Sequence, residues 1–301
     1  MKLALYLGCT IPVRGLNYEL SARRTAERLG FELVDVDGFT CCGYPTKPLN
    51  WEAALLLAAN NLALAEEQGL DVCTLCSACT STLVEANKRL QQDEDLRGHI
   101  NQQLADATGR RYAGTATVRH YARILYEEIG PGRLRQMVDG ARNAGLGMDL
   151  SPFGFAVHYG CHYLKPAHIY DGFDDPEEPH TLGDLIEATG AQQVPYEEET
   201  ECCGGGILAI DPETALSIAK NKLDHVHATK ADGMVLICPF CDIMYEINQR
   251  SIERQFGVTY RLPVLYYPQL LGLALGLSPD ELGFNLNRVK ARKLVEHFAS
   301  R

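Results

Sequence analysis

Residues 38–47 read GFTCCGYPTK and residues 199–208 read ETECCGGGIL. Each stretch sets two cysteines side by side ahead of a glycine. A disulfide between neighbouring residues demands a strained geometry, well short of the usual Cα separation. The pairs therefore point to a metal or to redox chemistry, and their recurrence points to a duplicated chain.

Reading outward from the pairs shows how far the duplication extends. KLALYLG is a short apolar strand, NYELSARRTAERLG a helix and FELVDVD a second strand, so the start is βαβ-like with Cys9 at a strand end. WEAALLLAANNLALAEEQG is a helix closed by Gly69, LDVCTLC a third strand, and Cys76 and Cys79 follow where that strand turns into a helix. The second half repeats the order: FAVHYGC is a strand ending at Cys161, PHTLGDLIEATG a helix, and AQQVPYE a strand leading to Cys202 and Cys203. DPETALSIAKNKLDHVHATKADG is then helical, with Asp211 as N-cap and Pro212 at the first helical position, and MVLIC is a strand. VRHYARILYEEIG (118–130) runs parallel to VLYYPQLLGLALG (264–276).

Four glycines and two prolines in residues 131–153 are expected to interrupt any long element. The predicted organisation is two tandem duplicated α/β domains, 1–140 and 141–301, each a short parallel sheet flanked by helices. Such sheets gather ligands at the carboxyl ends of their strands, which is where the cysteines fall.

Spacing gives the sulfur sets. The first half has Cys9, 31 residues, Cys41-Cys42, 33 residues, then Cys76-x-x-Cys79; the second has Cys161, 40 residues, Cys202-Cys203, 34 residues, then Cys238-x-x-Cys241. Cys73 offers an alternative C-x-x-C with Cys76. Aligning the halves puts Leu75-Cys76 on Ile237-Cys238 and Thr80 on Asp242, which favours Cys76 and Cys79 and leaves Cys73 as a buried strand cysteine. Structural zinc takes four ligands, usually from separated C-x-x-C knuckles, and a cubane cluster also takes four cysteines. Five thiols with a vicinal pair suit an opened iron–sulfur cluster in which one sulfur bridges two irons; a zinc-stabilised scaffold is the competing reading.

The pattern of a lone cysteine, CCG and C-x-x-C, present twice, resembles the B-type subunit of heterodisulfide reductase and its relatives, which carry tandem CCG domains. The resemblance covers nearly the whole chain. It implies one non-cubane 4Fe-4S cluster on Cys9, Cys41, Cys42, Cys76 and Cys79, and a second on Cys161, Cys202, Cys203, Cys238 and Cys241. The paired clusters of that family split a disulfide placed between them. LGCTIPVRGLNYELSARRTAERLG and the CCGYP continuation resemble the branch of sulfur-oxidising organisms, which implies an oxidative direction with sulfur on a lipoyl-type carrier protein. CCG proteins of succinate, fumarate, glycolate or lactate oxidation supply the alternative, an electron-relay or quinone-linked subunit.

Other residues narrow the chemistry. His158 and His162 flank Cys161; His162 either donates a proton to a leaving thiolate or bonds a cluster sulfide or backbone group. His225 and His227 are expected at the surface, and the acidic runs 174–179 and 197–200 in solvated loops. Glycine after each cysteine pair is expected to let backbone pass close to a cluster. No G-x-G-x-x-G or Walker motif occurs, so electrons are expected to arrive through a ferredoxin-type iron–sulfur subunit and a flavoprotein. With 28 basic and 39 acidic residues the net charge is −11, which repels nucleic acid. Eleven cysteines fit a reducing compartment, expected to be the cytoplasm. The apolar LLGLALGL (270–277) is far short of the roughly 20 residues that span a bilayer.

Overall fold

The computed structural model describes residues 1–300. Two four-stranded parallel sheets form its centre, built in the same order from the two halves. The first half runs β1 (Lys2–Tyr6), α1 (Ile11–Arg14), α2 (Leu16–Leu29), β2 (Glu32–Val34), α3 (Trp51–Glu67), β3 (Asp71–Thr74), α4 (Ser77–Gln92), α5 (Glu94–Thr108), β4 (Val118–His120), α6 (Tyr121–Ile124) and α7 (Pro131–Asn143). The second runs β5 (Gly154–His158), α8 (Cys161–Leu164), α9 (Thr181–Ala188), β6 (Gln192–Gln193), α10 (Pro212–Thr229), β7 (Gly233–Leu236), α11 (Pro239–Asp242), α12 (Gln249–Phe256), β8 (Val264–Tyr266), α13 (Tyr267–Ala274) and α14 (Arg292–Ala299).

Strand order is β2-β1-β3-β4 and β6-β5-β7-β8. Leu3 pairs with Leu33 on one side and Asp71 on the other; Phe155 pairs with Gln193 and Gly233 in the same way. The chain leaves β1 toward β2 and then returns to the far side of β1 as β3. That reversal opens a crevice beyond the carboxyl ends of β1 and β3, the place where open α/β sheets take ligands. Cys9 follows β1 and Cys76 follows β3, so the topology alone brings distant cysteines together.

Local sequence explains the elements. Asn50 and Asp211 cap α3 and α10 by accepting from the Ala53 and Thr214 backbone N–H groups, and Pro212 opens α10 as expected. Gly69 sits at φ +63° just past α3, satisfying the turn that a side chain would strain. Three expectations are corrected. Residues 131–153 contain the thirteen-residue helix α7: Leu134 and Val138 are buried along it, which outweighs Gly132 and Gly140, and Pro131 occupies its first turn, where proline is tolerated. The strand before Cys161 ends at His158: Gly160 at φ +76° turns the chain, and Cys161 opens α8. AQQVPYE contributes only two strand residues.

The halves share one apolar core. Tyr18 of α2 stacks on Tyr266 at the end of β8, ring centres 4.0 Å apart, and donates to the Ile237 carbonyl across the same boundary. Reciprocally, Tyr126, beyond α6, donates to Asp184 of α9 at 3.0 Å. Each half thus sets the helix that precedes its second strand, α2 or α9, against the other half. No helix among the described residues is long and apolar enough to cross a membrane.

Candidate iron–sulfur centre

Both sulfur sets form at the carboxyl ends of the strands, and they touch. Cys76 and Cys238 are the residues before α4 and α11, with almost the same extended backbone, φ −133° and ψ 121° against φ −134° and ψ 126°. Thiol-to-thiol hydrogen bonds run Cys9–Cys41–Cys42–Cys79–Cys76 in the first half and Cys161–Cys202–Cys203–Cys241–Cys238 in the second. Cys76 and Cys238 then bond each other. The ten cysteines make one continuous string, symmetric about its middle. It is exposed at Cys9 and Cys202 and buried at Cys42, Cys76, Cys79, Cys203, Cys238 and Cys241.

Cys73 is outside the string. It lies on β3, is wholly buried, and burial pushes its thiol well above the ordinary range. All eleven cysteines are free thiols.

Ten thiols this close cannot all ionise without a cation. Hydrogen bonds from Cys79, Cys161 and Cys241 pull Cys42 down to about 7 and hold Cys202 and Cys238 low, while Cys79, Cys161, Cys203 and Cys241 are pushed up as partners of those bonds. A polyvalent soft metal releases these protons and satisfies the sulfurs together. Further buried atoms lack a protein partner at the same place: Ser77 Oγ, beside the join, and His162 Nδ1. An all-thiol donor set of this kind with unspent buried donors fits iron–sulfur centres.

The surroundings of the two sets differ. At the first, Tyr6 on β1 donates to the Thr40 carbonyl at 2.5 Å, and Asn61 of α3 accepts from the Thr40 N–H and donates to the Cys41 carbonyl. At the second, the positions of Tyr6 and Asn61 are taken by His158 and Lys222. Lys222 is 1% exposed, and its ammonium meets the Glu201 carbonyl at 2.7 Å, the Glu199 carbonyl at 3.0 Å and His158 Nδ1 at 3.3 Å. An ammonium only donates, so Nδ1 accepts and the imidazole carries its proton on Nε2, which donates to Cys241 Sγ at 3.1 Å. Burial and then Lys222 hold His158 neutral by pushing it well below its ordinary value. Its ligand atom, Cys203 Sγ and Cys241 Sγ lie within 4.8 Å of one another.

Tyr44 belongs to the first cysteine loop and reaches across to residues of the second half. Its hydroxyl is 3.0 Å from His162 Nε2, and its ring leans on Phe240, 6.1 Å between centres. Burial, and then the charge of Cys161, raises it to about 12. With Pro45, Pro239 and Phe240 it walls a narrow crevice over Cys9, Cys42, Cys76 and Cys79.

The structure brings the ten expected cysteines and His162 together. It gives the glycines a second reason: a Cβ on Gly43 (φ +92°) would lie 2.7 Å from the Ala54 carbonyl oxygen, and one on Gly204 (φ +80°) 2.9 Å from that of Ala215. Both close the loop onto the first turn of the following helix, and the backbone N–H groups of Gly43, Gly204 and Gly205 donate to Cys41, Cys202 and Cys203 Sγ at 3.4–3.5 Å. His158 and His162 do not share a face, since the turn at Gly160 separates them. His225 is partly buried between Glu197 and Glu198, while His227 is exposed as expected. Glu199, in a run expected to be solvated, is half-buried and pushed up to about 7 by burial. Tyr44, Lys222 and Ser77 were not legible as site residues. Aligning α3 with α10 places Lys222 on Asn61 and flags a lysine on a buried helix face.

The cysteine-rich domain profile named CCG matches residues 3–84 and 155–246. Over 293 residues the chain is 36% identical to the B-type subunit of the Ferredoxin:CoB-CoM heterodisulfide reductase of Methanosarcina mazei, covering 96% of this chain and 94% of that one. It is 32% identical to the 8-methylmenaquinol:fumarate reductase membrane anchor subunit of Wolinella succinogenes, over 97% and 99% of the two chains. A hypothetical protein from Helicobacter pylori shares the fold, with a TM-score of 0.78 at 14% identity; the match covers 96% of this chain and 52% of that longer one. The chain belongs to the cysteine-rich CCG domain family, carries the domain twice, and is a member of the kind that heterodisulfide reductases carry as their B-type subunit.

Proposed function

We propose that the chain is the iron–sulfur catalytic subunit of a heterodisulfide-reductase-like oxidoreductase complex, working on a disulfide or protein-bound sulfur at two non-cubane 4Fe-4S clusters. The observation that carries this is the join between the sets. A disulfide has two sulfurs, and a string of thiols meeting at Cys76 and Cys238 lets two centres face one substrate. Cys9, Cys41, Cys42, Cys76 and Cys79 hold the first, and Cys161, Cys202, Cys203, Cys238 and Cys241 the second. When bound, the clusters supply one-electron chemistry at each sulfur. The protein's own residues do the rest: Tyr44 and Phe240 wall the crevice and exclude water, and His162, held by Tyr44, faces the place where a leaving thiolate needs a proton. Electrons pass to or from a ferredoxin-type subunit and a flavoprotein. In the sulfur-oxidation reading the flow is oxidative, with the substrate carried on a lipoyl-type protein.

The test compares Cys42→Ala with Cys203→Ala in the reconstituted complex, reading turnover beside iron content and EPR spectra. Paired sites predict similar loss from either, because groups acting as a unit are not additive. The similarity to a fumarate reductase membrane anchor subunit favours a second reading, a relay, in which only the cluster on the electron path matters. Near-normal turnover in either cluster-deficient variant selects the relay.

A further inference from the structure

At the opposite end of the second sheet from its cysteines lies a groove of about 1390 Å³, formed where β7 and β8 begin and closed by α12, the 288–291 segment and α14. In a chain of net charge −11 this groove is cationic: eight lysines and arginines line it against two carboxylates, Asp232 and Glu253. The acids are spent internally. Glu253 accepts from the Tyr260 and Arg261 backbone N–H groups, and Asp232 from the Gly154 N–H and the Lys293 ammonium. The buried Glu246 beneath accepts from the Arg288 and Val289 N–H groups. The carboxylates therefore fix the backbone of the segments that carry the cations and, apart from Lys293 paired with Asp232, form no ion pair with the lining cations. Lys230, Arg250, Arg261 and Arg292 are exposed, and among the described residues their side chains have no hydrogen-bond or ion-pair partner; Arg288, also exposed, is partly offset by the buried Glu246 and Asp242.

Two of these charges also oppose local preference. Arg250 and Arg292 sit in the first turns of α12 and α14, which contain no acidic residue there. Helix dipoles disfavour cations at that end. Positive charge held against both the dipole and its own neighbours is arranged for something outside the chain.

We propose that this groove is a docking face for an acidic segment of a partner protein. Its concavity keeps out a flat bilayer surface, and the net negative charge of the whole chain opposes a long polyanion such as nucleic acid. No lining cation is buried, as a closed phosphate site requires. A compact acidic loop or tail meets all three conditions and gains the local attraction over a short Debye length. Because the groove lies away from the sulfur string, a docked partner leaves the crevice open; the docking stands or falls separately from the redox chemistry.

The experiment uses the full chain and a fluorescent, disordered Glu/Asp-rich peptide at low ionic strength, read by anisotropy. Wild type is expected to bind, with affinity falling as salt rises. Arg250→Glu with Arg292→Glu should weaken binding by roughly tenfold or more, with an unchanged or higher Tm because both changes suit their helices, and Arg250→Gln with Arg292→Gln should fall between. A charge-matched control away from the groove, Arg111→Glu with Arg133→Glu, should weaken binding far less. Equal weakening by the control, or no binding by wild type at low salt, overturns the proposal. So does groove-dependent binding of phosphatidylserine vesicles or inorganic phosphate without binding of the peptide.

Discussion

Replacing Lys222 by methionine should lower the reduction potential of the second centre and leave the first unmoved. The lysine ammonium is 3.3 Å from His158 Nδ1, and His158 Nε2 is 3.1 Å from Cys241 Sγ. That relay puts a full positive charge within about 8 Å of a ligand sulfur; at an effective dielectric of about 20, this is worth roughly 2 kcal/mol. For one electron, at about 59 mV per factor of ten, the charge raises the potential by roughly 90 mV. The first centre has neutral Asn61 and Tyr6 at the same places, so the second is the easier to reduce. Burial pushes Lys222 down to about 8. The charge is therefore present below that pH and lost above it, and the wild-type second centre should fall in potential as pH rises through about 8, while Lys222→Met stays flat. EPR-monitored redox titration of the iron-loaded protein at pH 7 and pH 9 resolves both effects. A variant whose second centre stays within about 20 mV of wild type at pH 7, or whose two centres shift together, refutes the reasoning.

Three further outcomes are expected. Cys73→Ser should keep its iron while losing roughly 1–3 kcal/mol for a hydroxyl buried without a partner, whereas Cys79→Ser should lose iron from the first centre; iron analysis beside thermal unfolding separates them. Gly204→Ala places a methyl group 2.9 Å from the Ala215 carbonyl oxygen at φ +80°; it should destabilise by more than about 1 kcal/mol and lower iron content at the second centre only. His120 is buried, with Nδ1 accepting from the Ala122 N–H and Nε2 bonded to the Ile237 carbonyl, and burial pushes it down to about 4. The unfolded chain takes up that proton from about pH 6.5 and the folded one only near 4, so stability is intact above 6.5 and falls by about 3 kcal/mol toward pH 4. Urea unfolding of His120→Gln should show a correspondingly shallower pH dependence.

What could be read from the sequence was whatever repeats. Ten cysteines in matched spacing, strands ending just ahead of them, and the long helix after each cysteine pair, the second opened by Asp211, are properties of each half, visible by laying one on the other. What could not be read belongs to the space between the halves. Tyr44 follows a CCG and reads as a loop residue; only the fold shows it against His162, 118 residues away. The helix that Gly43 and Gly204 also press against was hidden for the same reason: a positive φ is expected from glycine, but which further surface it approaches is a tertiary fact. Helix α7 was missed because local breakers were weighed against a segment whose Leu134 and Val138 are buried, and packing overrode the cost of two glycines.

The near-twofold arrangement carries a consequence for descent. Two separate copies of one repeat, associated as a symmetric dimer, must show every substitution on both sides of the axis. In such a dimer the residue that walls one crevice is also the residue that walls the other, and a lysine behind one set of ligands stands behind both. Joining the copies into one chain removes that constraint. Tyr44 can then face a glycine-rich loop that has no tyrosine of its own, and Lys222 can stand opposite Asn61. Fusion is what allowed two inherited identical sites to take unequal parts.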